Sequence, residues 1–72
     1  MTNKKRIELA KKALVAFNGK PLNKMNQEDL NDSITDLIID LLHYAKSKDK
    51  WPTILIQTAL MHYKEEQNEL EN

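Results

Sequence analysis

Apolar side chains recur at three- and four-residue spacings in three stretches of the chain. Each stretch is bounded by residues that start or stop a helix. In the first, Ile7, Ala10, Leu14 and Phe17 fall on one stripe, with Ala13 beside it. That spacing is the signature of an amphipathic helix. Asn18-Gly19-Lys20-Pro21 ends it, because glycine supplies a left-handed cap and proline cannot continue a helix. The first helix is expected over about 3–17.

Asn26 is a good N-cap, with Glu28 and Asp29 in the turn that follows, where carboxylates meet the positive end of the helix dipole. From there Leu30, Ile34, Leu37, Ile38, Leu41 and Ala45 share a face, and the second helix is expected over about 27–46. Pro52 suits the first turn of a third helix, where its missing N–H is not needed. Leu55, Ile56, Ala59, Leu60 and Tyr63 share the core face of that helix, expected over about 52–67, with 68–72 a frayed polar tail. The short Ser47-to-Trp51 connection predicts that helices 2 and 3 pack as an antiparallel hairpin, with Trp51 covering its open end. The expected fold is all-α: one domain of three helices that dimerises into a helical bundle.

Some large apolar residues lie off these stripes. Ile54 and Met61 stand seven apart on one line of helix 3, at about 180° to its core face at 100° per residue. Ile39 points away from the main stripe of helix 2, and Leu42 sits at its edge. Together Ile39, Leu42, Ile54 and Met61 suggest a patch that a partner or a second copy covers.

Length strengthens that reading. Seventy-two residues make at most one domain, and a core this small leaves a thin stability margin. Small domains make up the shortfall with disulfides, a metal or oligomerisation. With no cysteine, disulfides and thiolate zinc sites are excluded. His43 and His62 leave little for a structural metal. A homodimer is the expectation that remains. No apolar run is long enough for a signal-peptide core or a membrane span, so the chain is expected in the cytoplasm and off the membrane.

A formal net charge of zero hides a division. Residues 1–25 carry seven Lys/Arg and one Glu, near +6; residues 26–72 carry four Lys and ten Asp/Glu, near −6. A basic arm of this kind can contact phosphates. Lys4, Lys5, Arg6, Lys11 and Lys12 are the candidate anion contacts, but they are spread around helix 1 with no interleaved aromatics. Asp32, Asp36 and Asp40 recur every four residues, with His43 three further on. Asp36, Asp40 and His43 are weak candidates for a divalent metal, needing ligands from a second helix such as Glu8, His62, Glu65 or Glu66. The ordinary reading of the ridge is a solvated face. The His43-Tyr44 and His62-Tyr63 pairs lie towards opposite ends of the hairpin, and tyrosines there are ordinary core-edge residues. With a single glycine there is no phosphate loop. No nucleophile–base arrangement can be assembled, and no cofactor is expected.

The segment Asp36-Leu37-Ile38-Ile39-Asp40-Leu41-Leu42-His43-Tyr44-Ala45, followed by Ala59-Leu60-Met61-His62-Tyr63-Lys64-Glu65-Glu66, resembles small uncharacterised helical-hairpin proteins of phages and other mobile elements. The resemblance spans Asn31 to Glu66 and implies an all-α hairpin in a mobile-element setting. The same segment is faintly similar to the second helix pair of MazG-like nucleotide pyrophosphohydrolases, in which E-x-x-E and E-x-x-D motifs hold magnesium. Here Ser33 stands where the second motif has Glu, with Asp36 in its last place, and helix 1 holds only Glu8. The leading expectation is a non-enzymatic interaction protein that binds, and inhibits, a host protein such as a defence system. The alternatives are a reduced MazG-like magnesium enzyme and a basic-arm nucleic-acid binder.

Overall fold

A computed structural model describes residues 2–67; the polar tail expected to fray lies outside the described residues. Three helices follow in order: α1 over Asn3–Asn18, α2 over Gln27–Ser47 and α3 over Pro52–Gln67, with a short 3-10 turn at Leu22–Lys24 between α1 and α2. Among the described residues there is no strand. The fold is all-α.

Both ends of α1 and α2, and the start of α3, are fixed by local chemistry. Thr2 caps α1, its hydroxyl accepting from the Lys5 amide at 3.1 Å. Gly19 closes the helix in the left-handed region at φ 75°, its amide donating to the Val15 carbonyl at 2.8 Å. Asn26 and Asp29 form a reciprocal capping box on α2. The Asn26 side chain accepts from the Asp29 amide at 2.8 Å, and the Asp29 carboxylate accepts from the Asn26 amide at 3.4 Å.

At the other end of α2 the Asp49 amide donates to the Lys46 carbonyl and the Lys50 amide to the Ala45 carbonyl. This pair of bonds is a Schellman closure. It places Asp49 at φ 59°, in the left-handed position that glycine usually fills. Pro52 occupies the first position of α3, and the Trp51 carbonyl accepts from Leu55.

The helices meet at their edges. α1 and α3 both touch α2. Asn18, the last residue of α1, donates its side-chain amide to the buried Ser33 hydroxyl of α2. The first turn of α1 meets the last turn of α3: the Asn3 side chain donates to the Glu66 carbonyl at 3.2 Å, and Arg6 lies 3.5 Å from the Glu66 carboxylate. Lys20, just past α1, pairs with Asp29 at 3.3 Å.

The result is a slab of 34 × 34 × 19 Å, thinner than two helix diameters. Its radius of gyration is 13.7 Å, against about 11 Å for a close-packed domain of this length.

This geometry corrects the expected core. Among the described residues Leu14 is the one buried apolar side chain, and no large side chain is fully buried. Ile7, Phe17, Ile34, Ile38, Leu41, Leu55, Leu60 and Tyr63, all read as core, are exposed. The reason lies in the width of the apolar arc on α2. Its half-buried positions are Leu30 and Leu37, near the buried Ser33, and Leu42 and Ala45, near the connection to α3. The middle of the arc, Ile34, Ile38 and Leu41, stays open because neither flanking helix closes over it. Trp51 is also corrected. It covers nothing, and is the most exposed of the large apolar residues.

Candidate functional site

The open middle of the α2 arc is the floor of a groove of about 470 Å³ whose other wall is α1. Ile34, Ile38 and Leu41 form the floor, Ile7 and Leu14 the wall, and Leu22 of the 3-10 turn closes one end. These residues face one another because α1 is pinned to α2 at Asn18–Ser33 and to α3 at Asn3–Glu66. The pins lie at opposite ends of α1, so its apolar stripe is presented along α2. Lys11 is the single charged residue of the lining.

A second hollow of about 520 Å³ continues from the first, sharing Ile7 and Ala10 and reaching Tyr63 and the Arg6–Glu66 pair. The two form one concave, largely apolar surface across all three helices. Ile7 keeps 58% of its surface accessible here and Leu41 57%.

The chain exposes 6172 Å², whereas a globular monomer of its mass exposes about 4,600 Å². The excess is roughly 1,500 Å².

The residues read from sequence as a partner surface lie elsewhere. Ile39, Ile54 and Met61 are exposed at 44%, 56% and 54%, and Leu42 is half-buried. The groove residues were assigned to the core instead. No sequence signal separates them from core positions, because an apolar stripe does not state whether another element covers it.

Candidate polar chemistry is dispersed. Asp32, Asp36, Asp40 and His43 are exposed along α2. Among the described residues no group of three or more His, Asp or Glu side chains gathers to hold a metal ion. His62 is exposed on α3. The Tyr63 hydroxyl accepts from Gln67 at 2.9 Å, and the Lys48 ammonium lies 5.9 Å from the Tyr44 ring centre.

Of the five candidate anion contacts, two have acidic neighbours. Arg6 turns towards Glu66 of α3, and Lys11 pairs with Glu8 at 3.3 Å at the groove. Lys4, Lys5 and Lys12 are exposed. No described helix is long and apolar enough to cross a membrane. Comparison of the chain with protein-family models, curated proteins and solved structures finds no match.

Proposed function

We propose that this chain is a small non-enzymatic interaction protein of the phage or mobile-element kind, which assembles as a homo-oligomer and binds and inhibits a host protein such as a component of a defence system. One observation carries the reading: each of the three helices keeps large apolar side chains in contact with solvent. Apolar surface on that scale normally marks a partner site. The resemblance of the Asn31–Glu66 segment supplies the setting.

Two apolar surfaces are available. The concave one is continuous with the interior. The other carries Ile39, Ile54 and Met61, exposed on α2 and α3, and is the surface assigned to a second copy or a partner protein. The acidic ridge of α2 lies on the same helix as Ile39 and would bias partner choice through charge complementarity.

Capture from a bacterial lysate tests the assignment. Wild-type chain and an Ile54→Asp, Met61→Lys double variant serve as baits, with matched helicity by circular dichroism. The wild type retains a host protein that the double variant loses. An identical captured set for both baits sinks the reading.

A further inference from the structure

We infer that Asn18 is a site of spontaneous deamidation guarded by its bond to Ser33, so that conversion follows opening of the last turn of α1. The inference is independent of the interaction reading above.

Sequence is the first argument. The chain has one glycine, and an asparagine precedes it. The backbone nitrogen after an asparagine can attack the side-chain carbonyl carbon. Glycine opposes that attack least, because it has no side chain and its backbone turns freely. The other described asparagines, Asn3, Asn23, Asn26 and Asn31, are followed by Lys, Lys, Gln and Asp.

Access is the second. Asn18 and Gly19 are both exposed, and the space beside the Gly19 Cα is open. Base and water therefore reach the pair. A base takes the Gly19 amide proton, and the nitrogen bonds to the side-chain carbonyl carbon of Asn18. The bond from that carbon to the side-chain nitrogen breaks, and ammonia leaves. Water then opens the cyclic imide at either carbonyl, giving aspartate or isoaspartate. No oxidant or reductant takes part.

The guard is the third. Both groups that the reaction needs are engaged in the fold. The Gly19 amide donates to the Val15 carbonyl at 2.8 Å, and the Asn18 side-chain amide donates to the buried Ser33 hydroxyl. Asn18 is also the last helical residue of α1, so helical backbone holds the Gly19 nitrogen off the side-chain carbon. Attack waits for this turn to open, a local event that helix ends undergo more often than the whole chain unfolds. The products change the pin. A carboxylate has no hydrogen to donate to Ser33, and its charge stands at the negative end of the α1 dipole. Isoaspartate also adds a methylene to the backbone beside the Gly19 cap.

Incubation of the full chain in mildly alkaline buffer, with and without guanidinium chloride, tests the inference. Peptide mass spectrometry reads the NH-to-O exchange at each asparagine. In denaturant Asn18 converts ahead of Asn23, Asn26 and Asn31. In native buffer it converts at least about tenfold more slowly, because only the open fraction reacts. Gly19→Ala removes the fast conversion in denaturant. Ser33→Ala speeds Asn18 several-fold in native buffer and leaves Asn31 at its wild-type rate.

A second measurement needs no variant. Across low guanidinium concentrations, Asn18 conversion in the wild type rises in proportion to hydrogen exchange at the Gly19 amide. Asn18 converting no faster than the other asparagines in denaturant overturns the inference, as do equal rates in native buffer and denaturant. So does a Ser33→Ala chain that converts at the wild-type rate, or that speeds Asn18 and Asn31 by the same factor. Conversion that diverges from Gly19 exchange overturns it as well.

Discussion

The ends of the helices and their faces are built to different standards. At the ends, Thr2, Gly19, Asn26 with Asp29, and the closure around Asp49 supply partners for backbone groups that a helix leaves unpaired. On the faces, three apolar stripes meet without fully burying a single large side chain among the described residues. Ends are settled by a few neighbouring residues, so a short chain completes them alone. Faces require another element to close over them, and among the described residues Leu14 is the only apolar side chain so covered. The contrast separates two sources of order: local chemistry fixes where each helix begins and stops, while the packing that would hold the helices rigidly together waits for more polypeptide.

Substitutions can break this contrast or sharpen it. The largest effect is expected at Leu14, the one described apolar side chain that is buried. Leu14→Ala should lower the unfolding free energy by about 2–3 kcal/mol, the lower end of the range for buried leucines, since this one borders the groove. Urea titration followed by circular dichroism measures it. A loss as small as that from a surface site would mean that the faces contribute almost nothing.

Next come the caps. Asn26→Ala removes one half of the capping box and should cost about 1 kcal/mol. Gly19→Ala should cost a similar 1 kcal/mol or slightly more. A methyl there meets open space, so left-handed backbone strain is the whole penalty. Matched losses at these two sites, read from the shift in urea midpoint, would show that the ends are as finished as their hydrogen bonds imply.

Asp49→Gly runs the other way. It relieves the left-handed residue at φ 59° and should stabilise by roughly 0.5–1 kcal/mol, read as a rise of a few degrees in melting midpoint. The smallest effect belongs to Lys11→Ala, which breaks the exposed pair with Glu8. It should change stability by only a few tenths of a kcal/mol, and a loss above about 1 kcal/mol would reveal a role for that rim in packing.

Much of the helical framework was legible in the sequence. Periodicity marks the three helices, Gly19 with Pro21 marks the first stop, and Asn26 with Asp29 marks the second start. The closure at Asp49 was not legible. No glycine stands there, and aspartate tolerates the left-handed conformation without advertising it. The exposure of Ile34, Ile38 and Leu41 was hidden for a different reason. A stripe of apolar residues states which side of a helix avoids water, and says nothing about whether another element is large enough to cover it. Trp51 shows the same limit: its aromatic ring suggested a lid, yet its backbone carbonyl, accepting from Leu55, is the part the structure uses. Ile39, Ile54 and Met61, which fall off the stripes, are exposed, but no more so than Leu41 and Leu60 on them.

The clasp between Asn3, Arg6 and Glu66 has a topological consequence. It brings the first and last described helical turns to the same corner of the slab, so a short glycine-rich linker could join them. The loop at Gly19-Lys20-Pro21, exposed throughout, offers a place to reopen the circle. A circularly permuted chain beginning after Gly19 would keep the helices and the groove while reversing the order in which they emerge during synthesis.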